Sequence, residues 1–275
     1  MKLSLFAAPA TTESGNPYEK FCDICLSAGI TGIEGWPSEA LDSVEKAKEL
    51  RRILDAHGMV CPCFSTCVDL LSDHWQADTE ELRRYGEMAA ILGAPYLHHT
   101  LVPDLTPRTY TDAEWEEALA ILVPRAKAIR ETARKQGVDV IYEEQGFLVN
   151  GVGRLSRFLE ALAPEEAHVC MDFGNSFFMD EAPEQLLAAV LPRIRHVHVK
   201  DYRVVDTPEP LCTLNGTNLR DADCGKGIVN WPKCLSILRK GGYDGWYSME
   251  LFSTDPEILR RNADAIRRLE TEIIA

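Results

Sequence analysis

A chain of 275 residues with 45% hydrophobic and 26% charged side chains has the balance of a folded globular protein and excludes a disordered one. Its formal net charge of −14, from 43 acidic against 29 basic residues, repels the phosphates of nucleic acid and of anionic membranes, so neither is an expected partner. No apolar run approaches the roughly 20 residues that cross a bilayer, and the nine cysteines are scattered, so they read as packing residues.

The first predicted element is a strand over residues 2–7, within MKLSLFAAPA. This stretch has the look of a signal peptide, but its apolar part is short and broken by Pro9, and the fold needs it as a strand, so a cytoplasmic protein is expected. A second strand is predicted over 30–35, followed by a helix capped by Ser38. That helix carries the stripe Leu41, Val44, Ala47, Leu50, Ile53 and Leu54 and stops at His57-Gly58. A third strand covers 59–65, and Asp78 with Glu81 has capping-box spacing for the helix that ends at Gly93. His74 and Trp75 fall in the loop between them; His74 reads as exposed, and Trp75 is placed to wall a pocket.

The fourth strand is expected over 94–100, and Thr111 with Glu114 repeats the capping device before a helix in which Pro124 predicts a kink or a break. Strands five, six and seven follow at 138–144, 168–173 and 194–200. Residues 201–229 then form a long connection without clear periodicity, the kind that usually serves function. An eighth strand at 245–251 leads into a last helix opened by Asp255-Pro256. Eight strand–helix units in 275 residues give about 34 residues each, so the expected fold is a single (β/α)₈ barrel domain over 1–275. A doubly wound sheet is the alternative, but no glycine-rich fingerprint follows the first strand.

Alternation within the strands sorts their side chains. In IRHVHVKD, Val197 and Val199 face the helices, so His196, His198 and Lys200 point inward. The same parity sends Glu143 rather than Glu144, Asp172, and Ser248 with Glu250, toward the barrel axis. Glu143, Asp172, His198 and Glu250 therefore converge on the C-terminal mouth, where barrel enzymes keep their active sites. Three carboxylates that close resist ionising together unless a cation neutralises them. Three oxygens and one imidazole suit a divalent metal with two positions left for substrate.

With these residues in place, the chain resembles the sugar phosphate isomerase/epimerase family with the xylose-isomerase-like barrel, which also contains ketose 3-epimerases, inosose dehydratases and hydroxypyruvate isomerases. AGITGIEGW is similar to that family's second strand, ending in Glu34; GVDVIYEEQG to its fifth; VCMDFGNSF to its Asp-x-Gly-Asn signature; IRHVHVKD to its His-x-Lys-Asp strand; and GKGIVNW with GGYDGWYSMEL to its closing segment. The resemblance implies Glu143, Asp172, His198 and Glu250 as metal ligands, with Glu143 and Glu250 as the catalytic acid and base. It implies Asn175 near the substrate; parity and position add Lys200, His98, Glu34 and Trp36 as candidate substrate contacts, with pairing to a carboxylate the other reading for Lys200 and core packing for Trp36. Two departures stand out: Glu144-Gln145 replaces the family's Asn-His, and Val149 and Asn150 stand where the epimerases have a second Glu.

The expected activity is a metal-dependent isomerase or epimerase acting on a ketose-like sugar through an enediolate. A lyase using the same site comes second; an endonuclease IV-like repair enzyme and a non-catalytic sugar-binding protein rank below. Affinity order favours Zn²⁺, but the oxygen-rich set favours Mn²⁺ or Mg²⁺, so Mn²⁺ is expected, with Co²⁺ also compatible. No arginine cluster marks a phosphate pocket, which points to a free sugar, although Cys224-Gly225-Lys226-Gly227 has the look of a weak anion loop. The resemblance also implies a dimer or tetramer.

Overall fold

The computed structural model of the protein describes residues 1–6, 17–163, 167–251 and 253–274. Strands β1 (Lys2–Phe6), β2 (Gly32–Glu34), β3 (Phe64–Thr66), β4 (Tyr96–His99), β5 (Asp139–Glu143), β6 (His168–Asp172) and β7 (Ile194–Val199) alternate with helices. These are α1 (Pro17–Ser27), α2 (Val44–His57), α3 (Trp75–Leu92), α4 (Asp112–Lys135), α5 (Val152–Leu162) and α6 (Pro183–Val190). After β7 come three short strands, β8 (Asp201–Val205), β9 (Leu211–Cys212) and β10 (Asn218–Ala222), then α7 (Trp231–Lys240), β11 (Trp246–Met249) and α8 (Pro256–Ile274). The predicted first strand thus runs to Phe6; Ala7 and the segment with Pro9 lie outside the described residues.

The eight barrel strands are parallel and ordered β2-β1-β11-β7-β6-β5-β4-β3, with bridges Gly32–Val60 and Gly35–Phe64 joining the two ends of the sheet. The chain is a (β/α)₈ barrel, as its element pattern predicts. Strand β3 is shorter than expected because Pro62 supplies no N–H to a ladder. Gly35 makes the closing contact feasible, since a Cβ there would lie 2.7 Å from the Phe64 ring. Parity sorts the strands as expected: Val140, Tyr142, Val169, Met171, Val197, Val199, Tyr247 and Met249 are buried in the large core shared with the helices. Cys63, Ile141 and Cys170 form a separate small cluster.

Three local expectations are corrected. Helix α2 is capped by Ser43, whose hydroxyl accepts from the Lys46 amide, while Ser38 forms a tight bridge with Leu41. Helix α3 starts at Trp75, one turn earlier than the expected box, so Asp78 lies inside the first turn and accepts from Ser72 Oγ at 3.3 Å. Helix α4 keeps its Thr111–Glu114 capping box but runs unbroken through Pro124. Ala120, whose carbonyl loses its partner there, and Pro124 are both exposed, so water satisfies that carbonyl.

At the opposite end of the barrel from the strand C-termini, Asp139 ties three elements together. Its carboxylate meets His168 Nδ1 at 2.8 Å, Arg134 Nε at 3.1 Å and Arg130 Nε at 3.4 Å. Burial alone would raise its pKa; the bonds from His168 and Arg134, with Arg130 nearby, hold it well below the usual carboxylate range. A depressed folded-state pKa adds stability above the unfolded value of about 4 and loses it as pH falls below that. Asp139→Asn should therefore cost about 1–3 kcal/mol at neutral pH, and the gap from wild type should be narrower at about pH 3 and close only as pH falls through the depressed folded-state value. Urea unfolding at both pH values checks this; a pH-independent gap would sink it.

Candidate metal centre and substrate cavity

Barrel register brings the functional side chains to one level. Asp172 pairs with His198 across β6 and β7, and His198 with Ser248 across β7 and β11. Glu143 is the last residue of β5, and Glu250 follows β11 with its amide donating to the Val199 carbonyl at 3.1 Å. One ligand atom from each of Glu143, Asp172, His198 and Glu250 lies within 4.8 Å of the others. His198 Nδ1 faces Glu143 Oε1 at 2.8 Å and Glu250 Oε2 at 4.0 Å. Lys200 Nζ donates to Glu250 Oε2 at 2.9 Å and lies 3.3 Å from Asp172 Oδ2.

The electrostatics fit a cation. Burial, with Glu250 and Glu143 close by, pushes the Asp172 carboxyl up to about 7 despite the Lys200 ammonium. Burial also opposes ionisation of Glu143, but the facing His198 and His98 pull it below its ordinary value. Burial opposes charge on His198 too; Cys170, Glu34 and Glu143 nonetheless hold it well above the ordinary histidine range. Three carboxylates and an imidazole at one point, with a single lysine to offset them, form an oxygen-rich donor set with charge to spare for a divalent ion.

Backbone donors fix the central carboxylate. The Gly174 and Asn175 amides donate to Asp172 Oδ1 at 2.5 and 2.8 Å, at the start of a 3₁₀ turn over Asn175–Met179. Glycine is needed at 174, because a Cβ would lie 2.7 Å from the Tyr202 ring and 2.8 Å from Lys200 Cγ. Below, the buried Glu144 accepts from the Asp172 amide at 2.9 Å, so it supports the strand end and points away from the cavity, as parity predicts.

Three of the four donors, Glu143, His198 and Glu250, line a cavity of about 530 Å³, while Asp172 is fully buried and does not line it. Of the predicted substrate contacts, Trp36, His98, Asn175 and Lys200 line it. Both polar atoms of the Asn175 amide and both ring nitrogens of His98 are buried without a hydrogen-bond partner, and His98 Nε2 lies 3.5 Å from Glu143 Oε2. Glu34 does not line it; it lies with no exposure among His196, His198 and Ser65. Trp75 is also elsewhere, at the start of α3 beneath Arg125, because the helix begins a turn early. The suspected anion loop is already occupied: the Gly225 and Gly227 amides both donate to the Asp201 carboxylate at 3.0 Å. Asn150 fastens a loop by donating to the Gly146 and Asn175 carbonyls at 3.0 and 2.8 Å.

Residues 201–229 are not structureless. Strands β8, β10 and β9 form an antiparallel sheet that brings Tyr202, Leu211 and Asp221 to the cavity wall. Sequence reasoning missed these three, although Asn215-Gly216 carried the signal: Asn-Gly between short apolar runs marks a hairpin, and Gly216 has φ +83°. Phe6 was missed as well; its ring sits 5.0 Å from that of Trp36 and 5.9 Å from that of His198, and together Phe6 and Trp36 give the cavity an apolar face.

A (β/α)₈ barrel with a four-donor cluster at its strand ends defines the class, and comparison supplies the family. Residues 22–269 match the model of the xylose isomerase-like TIM barrel family, and the chain belongs to that family. It is 28% identical over 147 residues to the inosose dehydratase of Bacillus anthracis, a match covering 51% of this chain and 48% of that protein. It is 24% identical over 155 residues to the inosose dehydratase of Geobacillus thermodenitrificans (strain NG80-2), covering 54% and 50%. The chain thus spans about half the length of the curated relatives it matches. Among solved structures it is similar in fold to D-psicose 3-epimerase with D-tagatose from Clostridium cellulolyticum H10, with TM-score 0.74 and 16% identity over 100% and 99% of the two chains. It also matches the IolI protein with a binding zinc atom, with TM-score 0.73 and 17% identity over 100% and 98%. Among the described residues, no helix is long and apolar enough to cross a membrane.

Proposed function

We propose that this protein is a divalent-metal-dependent isomerase or epimerase acting on a ketose-like, unphosphorylated sugar. The observation that carries the reading is the convergence of Glu143, Asp172, His198 and Glu250 within 4.8 Å, with Glu143, His198 and Glu250 lining a roughly 530 Å³ cavity. These four residues would hold the ion, and their oxygen-rich chemistry favours Mn²⁺ or Mg²⁺ over softer ions, with Mn²⁺ the first choice. When bound, such an ion supplies Lewis-acid polarisation of a carbonyl and its neighbouring hydroxyl.

The protein's own groups do the rest. Glu143 and Glu250 are the carboxylates that remove the proton beside the carbonyl and return one. Return to the opposite face of the same carbon epimerises; return to the former carbonyl carbon isomerises. His98 and Asn175, with buried and unsatisfied polar atoms, orient the hydroxyls. The Phe6–Trp36 face receives the apolar side of the ring. Lys200, the one Lys or Arg among the described lining residues, is committed to Asp172 and Glu250, which supports a substrate without phosphate.

A dehydratase using the same carboxylates is the second reading, favoured by the matches to inosose dehydratases. One experiment addresses both. Ketoses and keto-inositols are incubated in deuterated water with Mn²⁺-loaded protein and followed by proton NMR, with His198→Ala as control. Deuterium entering beside the carbonyl, abolished in the control, is expected. An accompanying loss of hydroxyl-bearing carbons would select the dehydratase. Absence of exchange with every compound, despite bound metal, would refute the first reading.

A further inference from the structure

Glu34 ends β2 with no solvent exposure, and both its carboxylate oxygens are occupied by donors. Oε2 faces His196 Nε2 at 2.8 Å, and Oε1 faces His198 Nε2 at 2.8 Å while also accepting from the Ser65 hydroxyl. A carboxylate in this arrangement accepts only, so the His198 nitrogen that meets it carries the hydrogen. Without an ion Nδ1 meets a carboxylate too, Glu143 Oε1 at 2.8 Å, so both nitrogens carry hydrogen there; a cation in the cluster would take the place of the Nδ1 hydrogen while the Nε2 hydrogen stays on Glu34. Nδ1 is the nitrogen turned toward Glu143 and Glu250. His196 and Ser65 in turn hold the carboxylate still, and all four side chains are buried.

We infer that Glu34 is a positioning residue of the metal centre: it selects the Nε2–H tautomer of His198 and aims Nδ1 at the ion. A buried carboxylate behind a ligating imidazole also raises the basicity of the donor nitrogen, and such partners typically govern metal affinity. This inference rests on the metal-dependent reading of the site. It separates Glu34 from substrate contact altogether, since Glu34 reaches the cavity only through His198.

The test begins with the wild-type protein labelled with ¹⁵N-histidine. Long-range proton–nitrogen correlation spectra are recorded without metal and with Zn²⁺, the His198 signals being assigned by their loss in His198→Ala. A proton is expected on His198 Nε2 in both states, with a second on Nδ1 only in the metal-free protein, and the nitrogen shifted by Zn²⁺ is expected to be Nδ1. Calorimetric titration with Mn²⁺ should then show one site in wild type and an affinity lower by roughly 10–100-fold in Glu34→Gln. Ser65→Ala should weaken binding less, and it serves if Glu34→Gln does not fold.

Zinc on Nε2 would overturn the inference whatever the variants do. Unchanged Mn²⁺ affinity in a folded Glu34→Gln protein would overturn it alone, leaving the metal centre intact. Two ions per wild-type chain would overturn it too, because Glu34, Cys63 and His196 have donor atoms within 4.8 Å of one another and Glu34 would then be a ligand. Failure of the wild type to bind any metal would remove the metal-dependent reading and the role of Glu34 with it.

Discussion

Replacing Glu143 with Gln should lower the rate of carbon-bound proton exchange by roughly 10²–10⁴-fold, the usual weight of one positioned acid–base group. The amide keeps the volume of the carboxylate and one acceptor oxygen, so β5 and its neighbours should keep their packing. What disappears is the base proposed above: His198 and His98 pull Glu143 below its ordinary value in a site whose burial would otherwise favour its neutral form. The variant also removes a negative charge from the donor set, so the rate should be read at saturating Mn²⁺. Under those conditions a loss confined to kcat marks a group that acts on the reacting proton. Full recovery of rate by added metal would reduce Glu143 to a ligand and leave Glu250 as the sole base.

Asp201→Ala should destabilise the fold by roughly 3–5 kcal/mol, a large fraction of the stability of a typical domain. Asp201 is 1% exposed and gathers five donors. They are the amides of Tyr202, Gly225, Gly227 and Val229 and the indole N–H of Trp231, at 2.9 to 3.1 Å. Removing the acceptor leaves the donors of the buried Tyr202, Val229 and Trp231 without a partner, and that desolvation dominates the loss. The function should fall as well. Asp201 lies between Lys200 and Tyr202 and pins the segment that returns from β10 to α7, so Lys200 loses its anchor toward Glu250 and Asp172. Urea unfolding and the exchange assay check the two parts separately. A loss below about 1 kcal/mol would mean that water satisfies the loop, and the staple is not what holds it.

Much of this molecule was legible from residue order. The eight strands, the outward valines of β7 and the choice of Glu143 over Glu144 follow from a period of two residues on a surface buried on one side by helices. The Thr111–Glu114 cap could be read for the same reason: both partners lie within four residues. The inward direction of Glu143, Asp172, His198 and Glu250 was likewise available, because parity and strand ends are local properties and a parallel barrel carries all strand ends to one mouth.

What the chain order left open involves partners far apart in sequence. Glu34 looks like any acidic residue at a strand end; only closure of β2 against β3 and the distance across the barrel put it behind His198 instead of in the cavity. The glycine-rich loop at 225–227 has spare amides until the fold brings Asp201 into it. Tyr202, Leu211 and Asp221 reach the cavity through an antiparallel sheet in which the Asn-Gly turn joins only β9 to β10, while β8 pairs with β10 from more than ten residues away. Local periodicity thus determined the barrel and the direction in which its reactive side chains point. Tertiary structure decided which of them share a hydrogen bond, a charge or a wall, because those contacts join residues tens to more than a hundred positions apart, and no period in the sequence encodes them.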